Sequence, residues 1–326
     1  MTPDRPPIVL PPRDGPLPPG SRTVTTDDGI DLHVEVDEAD AAAGGTAPLT
    51  VVFAHGFTAR LAEWALQRAA VRGRARLVLF DQRGHGRSAW TRLTAATIDR
   101  TGRDLGQVID AATEGPVVLA GHSMGGMSIL ALARQRPELF GDRVVGVFLL
   151  ATSSGGLIST GLFGALVRLI RRLGLLGVYL RVLQFLAPAI ERLRRPGTVV
   201  GRRAIRRWLF GADDADPAAV RLVQALLEET PFTVSVAFYS TFLDHDESAA
   251  LPVLRRVPVT VVAATDDRLT PAAHSRLIAD AIGESCELVV VPGAGHSVNL
   301  TRTDVVDGAL HDLLDRVEAG RLPRTG

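Results

Sequence analysis

Ser123 stands in the stretch LAGHSMGGMS, residues 119–128, with Gly121 and Gly125 two positions to either side. A serine hydroxyl is a poor nucleophile at neutral pH and needs a base within hydrogen-bond reach. His296, in VVVPGAGHSVNL, is the candidate base. Such a base needs a carboxylate that fixes its tautomer and stabilises the imidazolium as it forms. Asp266 and Asp267, adjacent in AATDDRLTP, are the candidates, and spacing alone leaves them equal. Together these groups would perform nucleophilic acyl chemistry, with the N–H of Met124, next after the nucleophile, donating to the oxyanion.

Such groups need a frame that brings distant parts of the chain to one edge. Continuous apolar runs at 49–54, 75–80, 116–120, 144–150, 259–264 and 286–291 read as strands buried on both faces, as in a parallel sheet covered by helices. RTVTTDDGIDLHVEV adds a hairpin turning at Asp28-Gly29, which makes eight strands. Helical patterns at 97–113 and 123–137 alternate with the runs, predicting a doubly wound α/β domain. Ser123 then sits on a tight strand-to-helix turn with its hydroxyl pushed out at the top of the sheet, and only glycine beside it leaves room for the chain. Both the aspartates and His296 follow strand runs at that same edge.

Four blocks, HGF at 55–57, DQRGHGRS at 81–88, GHSMGG at 121–126, and DDRLTP paired with GAGH, resemble the α/β-hydrolase fold family. The resemblance is to its serine-hydrolase, esterase- and lipase-like branch, of an actinobacterial type, and covers roughly residues 22–152 and 250–318. It implies an eight-stranded, mostly parallel sheet with a helical cap insertion. It also places the acid four residues before Pro271, at Asp267, and the second oxyanion donor at Phe57. HGF stands where the branch related to hormone-sensitive lipase has HGGG, which sets that branch aside. Epoxide hydrolases and haloalkane dehalogenases of the family carry an aspartate where this chain has Ser123. Asp81, Arg83, His85 and Ser88 fall in a block expected to buttress the sheet, and His122 is read as a packing residue.

The expected organisation is a proline-rich, flexible tail over 1–20, a core over 21–152 and 251–326, and a helical cap over 153–250 at the carboxyl ends of the strands. The cap is basic from 160 to 210 and acidic from 211 to 250, so its halves are suited to pair. Arg168, Arg171 and Arg172 share one helical face, and Leu166, Leu169, Ile170 and Leu173 another. Such a helix either packs on the core as a lid or associates weakly with an anionic membrane surface. Phe232, Phe238, Tyr239, Phe242 and Trp208 cluster in the cap of a chain only 5% aromatic, to line an acyl pocket or form the cap's own core.

Equal numbers of basic and acidic residues, 36 each, argue against nucleic acid as partner. Every basic residue is arginine, which reads as GC-rich coding. The lone Cys286 can form no internal disulfide and has no metal-ligand spacing around it, so neither metal nor cofactor is expected. No signal-like apolar region follows the first basic residues, and arginines interrupt every apolar run in the cap, which predicts a cytoplasmic protein without a spanning helix. GHSMGG lacks the spacing of a dinucleotide-binding turn. The expectation is a serine hydrolase that cleaves the carboxylic ester of a hydrophobic small-molecule substrate with a medium or long acyl chain through an acyl-enzyme. Its rivals are thioester, lactone or carbon–carbon bond hydrolysis, acyl transfer and perhydrolysis on the same triad, and a ligand receptor that kept the fold without catalysis.

Overall fold

A computed structural model describes residues 15–40, 49–90, 93–157, 170, 172–193, 203, 205–211 and 216–321. The chain opens with a hairpin of β1 (Ser21–Thr25) and β2 (Asp31–Asp37). Its turn closes where Gly29, at φ 80°, donates to the Thr26 carbonyl. The apolar runs become β3 (Thr50–Ala54), β4 (Arg76–Phe80), β5 (Val117–His122), β6 (Val144–Leu150), β7 (Val259–Ala264) and β8 (Cys286–Val291). They form one eight-stranded sheet in the order β1-β2-β4-β3-β5-β6-β7-β8. Only β2 runs against its neighbours; from β4 to β8 every pair is parallel.

Parallel strands need helical crossovers, and these cover both faces. On one face α2 (Ile98–Ala112), α3 (Met124–Gln135) and α7 (Ala272–Ile282) bury Leu105, Ile109, Leu130 and Ile278 against Val52, Leu119 and Val261. On the other, α1 (Ala65–Val71) and α8 (Thr303–Arg321) bury Val71, Leu310 and Leu313 with Phe53, Leu79 and Phe148. Strands β3, β5 and β7 are buried at every residue, which explains why their sequence shows no alternation. The edge strand β8 is only partly covered, and Cys286 begins it as a half-buried free thiol.

Between β6 and β7 the described chain contains α4 (Leu176–Leu193), a π-turn at Arg206–Phe210, α5 (Pro217–Glu229) and α6 (Phe232–Leu243). Asp216 caps α5 by accepting from the Ala218 N–H at 2.8 Å, with Pro217 in the first turn where its missing donor is harmless. This insertion is fastened to segments beyond the carboxyl ends of the strands. Ser297 N–H donates to Leu209 O at 2.8 Å, and Gly211 bridges to Ala294. The sequence suits the two charged halves of the insertion to each other. The structure shows two acids of the second half on core arginines: Glu229 with Arg60 at 2.8 Å and Glu247 with Arg134 at 2.7 Å. Leu166, Arg168, Leu169 and Arg171 lie outside the described residues.

Candidate active site

Strand β5 runs directly into Ser123, which adopts φ 50° and ψ −114°. A non-glycine residue held in such a region costs about 1–3 kcal/mol and persists only where its surroundings over-determine it. Here Ser123 N–H donates to Leu150 O at 3.0 Å, and Thr152 Oγ1 donates to Ser123 O at 2.7 Å. The glycines are there for room. A Cβ on Gly121 would meet the Gly125 carbonyl carbon at 2.6 Å, and one on Gly125 would collide with the Ala54 carbonyl. Helix α3 begins at Met124, so its N–H belongs to the first turn, where no intrahelical acceptor exists.

The loop after β3 carries His55-Gly56-Phe57. Gln82 N–H donates to His55 Nε2 at 2.9 Å, so the ring proton is on Nδ1, which donates to Gly56 O at 2.7 Å. Burial, above all, holds the pKa of His55 below the ordinary histidine value, which keeps it in this neutral form. In a trans peptide the N–H opposes the C=O, so fixing Gly56 O turns the Phe57 N–H away from His55. The DQRGHGRS block supports this loop. Gln82 Nε2 donates to His55 O at 2.6 Å, and His85 Nε2 accepts from Thr58 N–H at 3.2 Å. Burial and the neighbouring His55 push His85 down to about 3, so it stays an acceptor. Asp81 accepts the N–H groups of Leu61 and Arg87, each at 2.8 Å. Arg83 is fully buried against Asp104, at 2.5 Å, and Asp28. Ser88 Oγ donates to Asp81 O.

His296, in the loop after β8, places Nδ1 2.8 Å from Asp267 Oδ2. Burial opposes the charge on Asp267, but the facing imidazole and the Thr270 N–H and hydroxyl outweigh it and hold the carboxyl below its ordinary pKa. Asp267 Oδ1 accepts the N–H groups of Leu269 and Thr270 at 2.8 and 2.9 Å. The other aspartate, Asp266, is exposed and bonded to Thr265 Oγ1 at 3.0 Å. Ser123 and His296 are brought together through His122, whose ring lies 4.8 Å from that of His296 and whose Nε2 is 3.1 Å from His296 O. Among the described residues no hydrogen bond joins Ser123 Oγ to His296.

Of the aromatics in the insertion, Phe238 and Phe242 pack on the Phe57 ring at 6.1 and 5.0 Å, and Phe238 shares a buried cluster with Met124 and Met127. Trp208 instead is 50% exposed and stacks on Arg268, 6.0 Å from its ring centroid. Sequence reasoning passed over Glu63, Gln82 and Thr270. Thr270 had a local signal, since a hydroxyl three residues after an aspartate suits a turn closed on that carboxylate. Glu63, alone in an apolar LAEW turn, had none.

A model of the alpha/beta hydrolase family matches residues 51–308. The chain belongs to the alpha/beta hydrolase family. Among alpha/beta hydrolases it is similar to a putative carbamate hydrolase, RutD, of Caulobacter sp., at 29% identity over 81% of this chain and 90% of the relative. It is also 29% identical to the monoacylglycerol lipase of Mycolicibacterium smegmatis, over 76% of this chain and 81% of that one. An esterase from Thermogutta terrifontis shares the fold with a TM-score of 0.70 at 23% identity, over 91% of this chain and 98% of that one. An enol-lactonase from Burkholderia xenovorans does so with a TM-score of 0.68 at 23% identity, over 90% of this chain and all of the other.

Proposed function

We propose that this alpha/beta hydrolase is a serine esterase that cleaves carboxylic esters with a hydrophobic acyl chain through an acyl-enzyme. The observation that carries the reading is the 2.8 Å contact of His296 Nδ1 with the buried Asp267 carboxylate, next to a serine held on a strained elbow. Asp267 accepts the Nδ1 proton of His296, which leaves Nε2 as the base for the Ser123 hydroxyl. As Ser123 Oγ attacks the ester carbonyl, the negative charge on its oxygen is received by the N–H groups of Phe57 and Met124. His296 then returns the proton to the departing alkoxide, and water repeats the sequence on the acyl-enzyme. Leu157, Phe57, Phe238 and Phe242 form the apolar surroundings suited to the acyl chain. The resemblance to a monoacylglycerol lipase supports the ester; that to a carbamate hydrolase makes carbamates the first rival substrate.

Initial rates on p-nitrophenyl esters from acetate to palmitate test this reading. A maximum at a medium or long acyl chain is expected, at least tenfold above acetate in kcat/KM. No hydrolysis at any chain length, with turnover of a p-nitrophenyl carbamate, a thioester or a lactone, would move the assignment to that bond.

The same substrate class gives the insertion a second task, docking on an anionic lipid surface. Val178, Val182, Phe185 and Leu186 form one exposed stripe on α4, Phe185 at 84%, and Arg181 and Arg192 on the same helix are exposed. Phosphatidylglycerol vesicles are expected to co-float the wild type at low salt, and Phe185→Asp to reduce the floated fraction at least fivefold with an unchanged Tm. Equal flotation of both would rule the stripe out. No helix among the described residues is long and apolar enough to cross a membrane.

A further inference from the structure

A second histidine–carboxylate pair lies beneath the first. Glu63 is in the turn Leu61–Trp64, and its Oε1 is 2.9 Å from Nδ1 of His122, the residue immediately before Ser123. The other ring nitrogen, Nε2, is 3.1 Å from the carbonyl oxygen of His296. A carbonyl can only accept, so Nε2 carries a proton. The remaining proton of the pair is then either on Nδ1, giving imidazolium and carboxylate, or on Glu63, giving two neutral groups. Glu63 Oε2 accepts the Gly56 N–H at 2.7 Å, a bond that favours the ionised carboxylate. Both groups are buried, Glu63 at 8% exposure and His122 at 3%.

We infer that Glu63 and His122 form a buried carboxylate–imidazolium pair that positions the reacting groups by tying the Gly56-Phe57 loop, the residue preceding Ser123 and the backbone of His296 to one another. Its effect on rate rests on the esterase reading; its charge state does not. The three tied segments follow the ends of β3, β5 and β8; the β3–β5 pairing reaches Ala54 opposite Gly121, just before two of these segments, and β6 and β7 stand between β5 and β8 in the sheet. Glu63 is itself anchored at both ends. Its carboxylate holds Gly56 N–H, and its backbone carbonyl accepts from Asn299 Nδ2 at 3.2 Å, three residues after His296. The titratable groups around His122 are Glu63, His296, Asp267 and His55. Burial works against the cation, and the facing Glu63 carboxylate outweighs it, so the His122 pKa is raised and that of Glu63 is lowered. The histidine part of the pair is therefore fully formed below the ordinary value of 6.5 and lost only as pH rises through the raised one.

Two measurements test this. In the wild type, ¹⁵N-detected imidazole shifts followed through a pH titration are expected to show both ring nitrogens of one buried histidine still protonated above the ordinary value of 6.5, and that signature to vanish in Glu63→Gln. A neutral His122 spectrum in the wild type would overturn the ion pair. The rate at which a fluorophosphonate probe labels Ser123 is expected to fall at least tenfold in Glu63→Gln. For any ester turned over, kcat should fall by a similar factor while KM stays within about twofold. Glu35→Gln removes a comparably buried carboxylate remote from Ser123, paired with Arg68 at 2.5 Å, and serves as the control for lost stability. If both variants lose the same Tm and label at the wild-type rate, the pair is structural only and the positioning role fails. If the wild type itself does not label, the esterase reading fails, while the imidazolium signature still decides the charge state.

Discussion

Ser123→Ala is expected to lower kcat on the best p-nitrophenyl ester by about 10⁶-fold, the loss found when a serine nucleophile is removed with its base and oxyanion donors left in place. The substitution deletes the attacking atom and little else. Alanine can take the same φ of 50° at similar strain, and the bonds that hold the elbow, Ser123 N–H to Leu150 O and Thr152 Oγ1 to Ser123 O, are to the backbone. The Tm should therefore stay within a few degrees, and the variant should take up no fluorophosphonate mass. Hydrolysis at the wild-type rate by a folded, unlabelled Ser123→Ala protein would remove Ser123 as nucleophile and the acyl-enzyme with it.

Asp267→Asn should cost about 10⁴-fold in kcat, with Asp266→Asn within twofold of wild type. The difference follows from what surrounds the two carboxyls. Asp267 Oδ1 accepts from two backbone N–H groups, so an amide at this position keeps its oxygen there and turns its NH₂ toward His296. Nδ1 of His296 must then accept, the ring proton moves to Nε2, and the base can no longer take the proton from Ser123. Asp266 has no such constraint, since it is exposed and, among the described residues, its carboxyl bonds only to its neighbour Thr265. A pH–rate profile of both variants beside the wild type is the measurement. A crippled Asp266→Asn with a near-normal Asp267→Asn would exchange their roles.

Much of the frame was legible because it is specified locally. The six apolar runs are strands whose limits shift by no more than two residues in the structure; the inner ones are buried on both faces as read, while the edge strand β8 is only partly covered. Asp28-Gly29 marks the hairpin because glycine alone enters the φ 80° region without strain. Gly121 and Gly125 of the GHSMGG turn are needed for contacts that occur within a few residues of Ser123, or against the adjacent strand β3. The doubly wound order follows from strands alternating with helices, and the right sheet edge for Ser123, the aspartates and His296 follows from that order.

Other features were decided by tertiary structure because they depend on pairs far apart in sequence. Spacing left Asp266 and Asp267 equal, and the resemblance preferred Asp267; the backbone after β7 places that carboxyl against His296, across 29 residues, and leaves Asp266 in solvent. His122 reads as packing in the sequence, yet both its ring nitrogens make polar contacts, to Glu63 across 59 residues and to His296 across 174. The aromatics of the insertion offered two uses, and only packing separates Phe238 and Phe242, which surround Phe57, from Trp208, which lies half exposed on Arg268. What the sequence by itself determined is the set of strands and the glycine-flanked elbow at Ser123, because apolar runs and glycines act on their immediate neighbours. Which carboxylate faces which histidine was settled only by the folded chain, because a buried charge is stabilised by whatever partner the fold brings within about 3 Å, and no local pattern records that distance.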